Sequence, residues 1–165
     1  MEVTIPDYPK CVICVAPHTS NWDFFYAQLV CKALKWKASF LMKKSWFFFP
    51  LNYIFKAMGG IPVSRKKSTD LTETIINLYN NSEKLILAIT PEGTRKRVSK
   101  WRSGIIYIAK GANIPIALAV IDYKNKHIKL TDTYTPTGDA EKDMQFIKQY
   151  YKGANAKYPE NFCTD

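Results

Sequence analysis

"CVICVAPHTSNWDFFYAQLV", residues 11–30, decides how the rest of the chain is read. Six apolar or small residues run to Ala16 without alternation, stop at Pro17, and give way after a polar loop to apolar residues at helical spacing. A segment that is apolar on both faces is what the interior of a parallel sheet requires, and a helix directly after it is the first half of a βαβ unit. Ser20-x-x-Asp23 has the form of a capping box, which starts the helix at about Asn21 and carries it to about Lys35.

The same alternation continues outward. "ASFLM" (38–42), "GIPVS" (60–64) and "KLILAIT" (84–90) read as strands, and "IPIALAVIDY" (114–123) turns through "KNK" into "HIKLTDTY" as a hairpin. Between them, Pro50 looks like the first position of a helix that Gly59 stops, with Leu51, Ile54, Phe55 and Met58 on one face. Asp70-x-x-Glu73 has the form of a cap for a helix to about Asn81, residues 102–110 form a helix ended by Gly111, and a last helix runs from about Asp139 to Lys152 before Gly153. The expected fold is α/β: a single domain over residues 1–165, with a mostly parallel central sheet and flanking helices. There is no repeat, low-complexity segment or linker. A chain of 165 residues is long enough to bury a core without staples.

Composition narrows the partners. The formal charge is +10 and aromatic residues make up 14% of the chain, a pairing that suits an anionic lipid surface as well as it suits nucleic acid. No zinc-finger spacing and no aromatic RNP-like strand is present, so no nucleic-acid partner is expected. Cys11 and Cys14 form a C-x-x-C inside a strand, where residues three apart point to opposite faces, and there is no second pair. We therefore expect no metal site and no redox dithiol, and free thiols in a reducing cytoplasm. The acidic N-terminus lacks the apolar region of a signal peptide. The greasiest stretch, "WFFFPLNYIF" (46–55), is broken by Pro50 and Asn52 and falls short of the ~20 residues that span a bilayer.

Functional sites in open α/β sheets gather past the carboxyl ends of strands. Two strands end there in polar loops, Pro17 to Asp23 and Pro91-Glu92-Gly93-Thr94-Arg95, and a weaker third ends in Ser64-Arg65-Lys66-Lys67. Within one regular helix a spacing of five turns the second residue about 140° from the first. His18 and Asp23 can meet only if His18 lies in a loop that bends back on the first helical turn. Asp23 would then hold one ring proton and leave the other nitrogen as a base. The same letters also fit a loop histidine and a capping acid that never interact, and the pair alone does not choose. Arg95 opens a cationic block with Lys96, Arg97, Lys100 and Arg102, and Arg65 opens another. Most of that charge reads as a solvated face, but an arginine at a strand end offers a planar fork for phosphate oxygens.

Taken together, these loops resemble the glycerolipid acyltransferase family that includes the 1-acylglycerol-3-phosphate acyltransferases. The resemblance rests on four ordered blocks over roughly residues 11–122: H-x4-D (His18 to Asp23), G-x-I-x-x-x-R (Gly59 to Arg65), P-E-G-T-R (Pro91 to Arg95) and a short apolar block with one proline (Ile114 to Ala117). The chain departs from the family's pattern in three ways. Pro17 stands where Asn commonly precedes the histidine, Leu118 stands where a second proline often follows, and few residues precede the first block. Asp23, where lipid A acyltransferases usually carry Glu, favours the phospholipid branch.

The resemblance implies a glycerol-3-phosphate acyltransferase-like fold. It also implies an enzyme that moves a fatty acyl group from acyl-CoA or acyl carrier protein to a hydroxyl of a lysophosphatidate-like, glycerol-phosphate or related lyso-lipid acceptor in phospholipid biosynthesis. It implies His18 as general base, Asp23 as its partner, and Arg65, Glu92, Gly93, Thr94 and Arg95 at the acceptor. No cofactor is implied beyond the acyl thioester as co-substrate, and no covalent acyl-enzyme, which leaves Ser20 as a helix cap. The expected location is the cytoplasm, peripherally on the inner face of the membrane, with Trp46 to Phe49, Tyr53 and Phe55 resting on the bilayer, lining an acyl groove or packing in the core. The alternatives are a non-catalytic peripheral lipid-binding relative and, behind it, a basic nucleic-acid-binding domain.

Overall fold

The computed structural model describes residues 2–4, 8–63 and 68–165, with only the backbone for residues 2 and 68–70. In chain order the strands are β1 (Glu2–Val3), β2 (Lys10–Ala16), β3 (Ser39–Lys43), β4 (Gly60–Val63), β5 (Leu85–Ile89), β6 (Ile116–Asp122) and β7 (His127–Tyr134). The helices are α1 (Asn21–Ala33), α2 (Leu51–Ala57), α3 (Ser68–Asn80), α4 (Gly104–Gly111) and α5 (Ala140–Tyr150), with short 3-10 turns at Lys44–Trp46 and Pro159–Asn161. All seven strands form one sheet in the order β1-β7-β6-β2-β5-β3-β4. The five strands from β6 to β4 are mutually parallel, and β7 returns antiparallel beside β6. The α/β reading with a mostly parallel sheet holds.

Each of these elements follows from its letters. β2 is the fully paired central strand, buried along nearly its whole length, which is why its sequence does not alternate. Cys11 and Ile13 face one side of the sheet and Val12, Cys14 and Ala16 the other. The second side is closed by α3, α4 and α5 through residues such as Ile75, Tyr79, Ile105, Ile108, Ile147 and Tyr151. α4 lies close on α3 at Gly111, where a Cβ would stand 2.5 Å from Ile76 Cδ1. The first side carries α1, and an apolar cleft, partly open to solvent, lies between that helix and the sheet, lined by Ile13, Val15, Ala27, Val30, Cys31 and Ala119 among others.

Some boundaries differ from expectation. α3 is already helical at Ser68, so Asp70 falls inside its first turn rather than at its cap. Pro50 is the residue before α2, not its first helical position. α4 begins at Gly104, after the chain has turned through Ser103. Of the expected α2 face, Ile54 is exposed, while Leu51, Phe55 and Met58 are half-buried. The two-residue strand β1, parallel to β7, is too short to leave a pattern.

Candidate active site

Because β2, β5, β4 and β6 are parallel, their carboxyl ends share one edge of the sheet. His18 stands two residues past β2, Glu92 three past β5, and Tyr123 directly after β6. Ser64, Arg65, Lys66 and Lys67 follow β4 but lie outside the described residues, so the expected arginine of the second block has no place in the following geometry.

Ser20 caps α1, and its side chain accepts from the Trp22 N–H at 3.2 Å. Asp23 completes the capping box: its Oδ2 accepts from the Ser20 N–H and also from the Thr19 N–H, both at 2.8 Å. Those bonds pull the loop back over the helix start. His18 Nδ1 then lies 3.2 Å from the same Oδ2, while Tyr123 donates its phenol to Oδ1 at 2.5 Å. The two readings that the letters left open are therefore one arrangement, in which the capping acid is also the partner of the histidine. Ser20, buried and engaged as a cap, is not placed as a nucleophile.

Asp23 is 2% exposed. Burial alone would raise its pKa, but hydrogen bonds from His18, Tyr123 and the Ser20 N–H outweigh that and hold the carboxyl below its usual range. Its charge is thus fixed where an imidazolium would need it. His18 keeps 19% of its side-chain surface open, so the ring is reachable from the loop side. A histidine whose Nδ1 faces a buried carboxylate has Nε2 left to take a proton from a bound hydroxyl.

Glu92 behaves differently. It is 5% exposed, and burial raises its pKa from an ordinary 4.5 to about 8; the His18 N–H partly offsets the rise, and the charge of Asp23 adds to it. One of its oxygens, Oε2, has no hydrogen-bond partner among the described residues. Glu92 therefore ties the two loops together through the backbone of His18 and is a neutral acid over much of the physiological range. Gly93 follows with φ +67, a conformation that favours glycine, and the Arg102 side chain lies over it, 2.6 Å from where a Cβ would stand. Thr94 accepts from the Lys96 N–H at 3.2 Å, and Arg95 is exposed at the loop tip. Arg97 instead donates to the carbonyls of Glu160 and Phe162, a structural use of a residue from the same cationic block.

Residues past the fourth block contribute contacts that the motif pattern does not contain. Tyr123 is one, and the Tyr158 N–H donating to Thr19 Oγ1 at 3.2 Å is another. The available signal for Tyr123 was its place at the carboxyl end of the strand that neighbours β2. No group of acidic, histidine and cysteine side chains among the described residues is arranged to hold a metal ion. Cys11 and Cys14 are buried on opposite sides of the sheet, and burial pushes their thiols to about 11 and about 12.

Residues 3–122, well over half of the chain, match a family model described as Acyltransferase. No match was found among the curated proteins or the solved structures.

Proposed function

The chain belongs to the acyltransferase family, and on that premise we propose that it transfers a fatty acyl group from an acyl thioester to a hydroxyl of a lysophosphatidate-like or related lyso-lipid acceptor, as a step of phospholipid biosynthesis. The observation that carries the reading is the His18–Asp23 pair, a partly exposed imidazole on a buried, fourfold hydrogen-bonded carboxylate at the sheet edge. In this mechanism His18 Nε2 removes the acceptor's hydroxyl proton as that oxygen attacks the thioester carbonyl. Asp23 stabilises the imidazolium, and the C–S bond breaks as the tetrahedral intermediate collapses. The proton returns from His18 to the departing thiolate of coenzyme A or acyl carrier protein.

Arg95, together with Arg65, is proposed to hold the acceptor's phosphate, and Glu92, Gly93 and Thr94 to shape that side of the pocket. The apolar cleft beneath α1 reaches Val15 and Ile121, next to the catalytic edge, and supports a place for the donor's acyl chain. Trp46, Phe48, Phe49 and Tyr53 are exposed beside Lys43, Lys44 and Lys56, while Phe47 and Phe55 turn inward onto each other. The outer face of α1 adds Trp22, Phe25, Tyr26 and Leu29 at i, i+3, i+4 and i+7. No helix among the described residues is long and apolar enough to cross a membrane. Exposed aromatics beside lysines support peripheral docking on an anionic bilayer, proposed to be the cytoplasmic leaflet. The deciding experiment gives purified protein a long-chain acyl-CoA or acyl carrier protein with lysophosphatidate, glycerol 3-phosphate and other lyso-lipids. Free thiol and acylated product are expected in equal amounts with one of these acceptors, and thiol release without acylated product would refute transfer.

A further inference from the structure

The two oxygens of Asp23 are used unequally. Oδ2 takes His18 Nδ1 and the N–H groups of Thr19 and Ser20, all within five residues of one another in the chain. Oδ1 takes the Tyr123 phenol, from 100 positions away. The terminal torsion of an aspartate is broad, so pinning one oxygen leaves the plane of the carboxylate free to tilt. We infer that Tyr123 is a positioning residue for the His18–Asp23 pair: by anchoring Oδ1 it sets the carboxylate plane, so that Oδ2 stays aligned with the imidazole N–H. This rests on the mechanism proposed above. It concerns a residue outside all four sequence blocks and one position past the family match.

The phenol is itself held. The Tyr123 N–H donates to the Asn155 carbonyl at 2.8 Å, and the Asn155 side chain donates to Asp122 Oδ2 at 2.8 Å. The ring meets Tyr26 of α1 edge-on, with centroids 5.8 Å apart. Position 123 therefore takes its direction from three segments: the end of β6, α1 and the chain after α5. Burial, and then the bond to Asp23 and its charge, raise the phenol's pKa well above its usual value, so it stays protonated and donates at every working pH. The titratable and charged groups around the cluster are His18 in the β2 loop, Glu92 in the β5 loop, Tyr26 on α1, and Tyr158 with Lys157 after α5.

The test compares wild type, Tyr123→Phe, Asp23→Asn, the double variant and His18→Ala in steady-state transfer, each checked for fold by near-ultraviolet circular dichroism. Tyr123→Phe removes one oxygen and keeps the ring. Its kcat is expected to fall roughly tenfold, the scale of one lost hydrogen bond to a charged group. Both KM values should stay within about twofold, because a positioning residue acts on the chemical step. The acid limb of kcat/KM should move up by roughly half a pH unit or more, since a carboxylate that has lost a donor holds protons more tightly, its own and its partner's. In the Asp23→Asn background Tyr123→Phe should have no further effect. Wild-type kcat and an unmoved acid limb in a folded Tyr123→Phe, with His18→Ala inactive, would overturn the positioning role alone. An active His18→Ala would instead remove the mechanism on which it rests. If Tyr123→Phe does not fold, 2,3-difluorotyrosine at position 123, a stronger donor, should shift the acid limb down; no shift there would overturn the proposal equally.

Discussion

The loops after β2 and β5 sit side by side on one edge of the sheet, yet they are built on opposite plans. In the first, every polar group from Thr19 to Asp23 that faces inward is tied: Ser20 caps α1, Asp23 takes four donors, and Thr19 is reached by Tyr158. In the second, the root is pinned by Glu92 and by the close fit of Gly93 on Arg102, while the tip at Arg95 is open to solvent. The difference suits the two tasks proposed for these loops. Proton transfer needs its groups in place before substrate arrives. Holding a phosphate, the role proposed for the second loop, needs charge that can follow the ligand, and an exposed arginine suits it.

The sharpest way to break this contrast is at the fixed loop. His18→Ala should lower kcat by about 10²–10⁴-fold, the usual cost of a lost general base, with a modest drop in melting temperature because buried Asp23 loses one of its four donors. Asp23→Asn should be nearly as damaging to turnover and should also lower stability, since it removes the charge that four donors serve. Wild-type turnover in a folded His18→Ala would end the assignment of the two loops to two tasks.

A smaller effect is expected at the open loop. Arg95→Ala should raise the acceptor's KM about tenfold, the low end for a charge-assisted contact at an exposed site, with the donor's KM and kcat nearly unchanged. Arg95→Lys should recover only part of this, for want of the planar fork. An equal rise in both KM values would show that the tip serves the whole site and not the acceptor alone.

Glu92, between the loops, gives a pH signature. Its folded pKa is above its unfolded value, so the folded state binds the extra proton, and stability falls as pH rises from about 4.5 to about 8. Asp23 has the opposite sign: its depressed pKa gives stability above the unfolded carboxylate range, lost as pH falls through the folded value. Glu92→Gln should therefore flatten the decline in melting temperature between pH 5 and 8 by several degrees, at about 2–4 °C per kcal/mol for a chain of this size. A variant that keeps the wild-type slope would show that the buried acid is already ionised and that the loops are joined in another way.

The smallest effect is predicted for the bilayer surface. Phe48→Ser with Phe49→Ser should leave salt-sensitive sedimentation with anionic vesicles intact and remove the fraction that survives high salt. Both side chains are exposed, so folding should not suffer. Binding indifferent to salt and lipid charge in the wild type would discard the docking reading.

Much of this was legible in the letters because it is local. The unalternating run before Pro17, the capping box at Ser20, the turn between β6 and β7 and the helix at Asp139 are decided by neighbours within a few residues, and each stands where its pattern put it. The meeting of His18 and Asp23 was legible as a condition on the loop, and the box satisfies that condition. The burial of Glu92 was not, since Pro-Glu-Gly is also the composition of any exposed turn. Nor was Tyr123, one of ten tyrosines, whose partner is chosen by strand order and not by spacing. The uneven covering of the sheet escaped for the same reason: α1 carries apolar residues on its inner and outer sides, so its pattern does not say which side meets the strands.

The bonds from Tyr123 to Asp23 and from Tyr158 to Thr19 join positions 100 and 139 apart. As the chain emerges during synthesis, His18 and Asp23 come out first, and the groups that brace them follow 100 or more residues later. Closing loops of that length costs entropy that only the assembled sheet and α5 can offset. A nascent chain that stops short of Tyr123 therefore carries every motif letter without the phenol that braces Asp23. On the proposed mechanism, full turnover waits for both braces, so catalysis would report on the docking of Tyr123 and Tyr158.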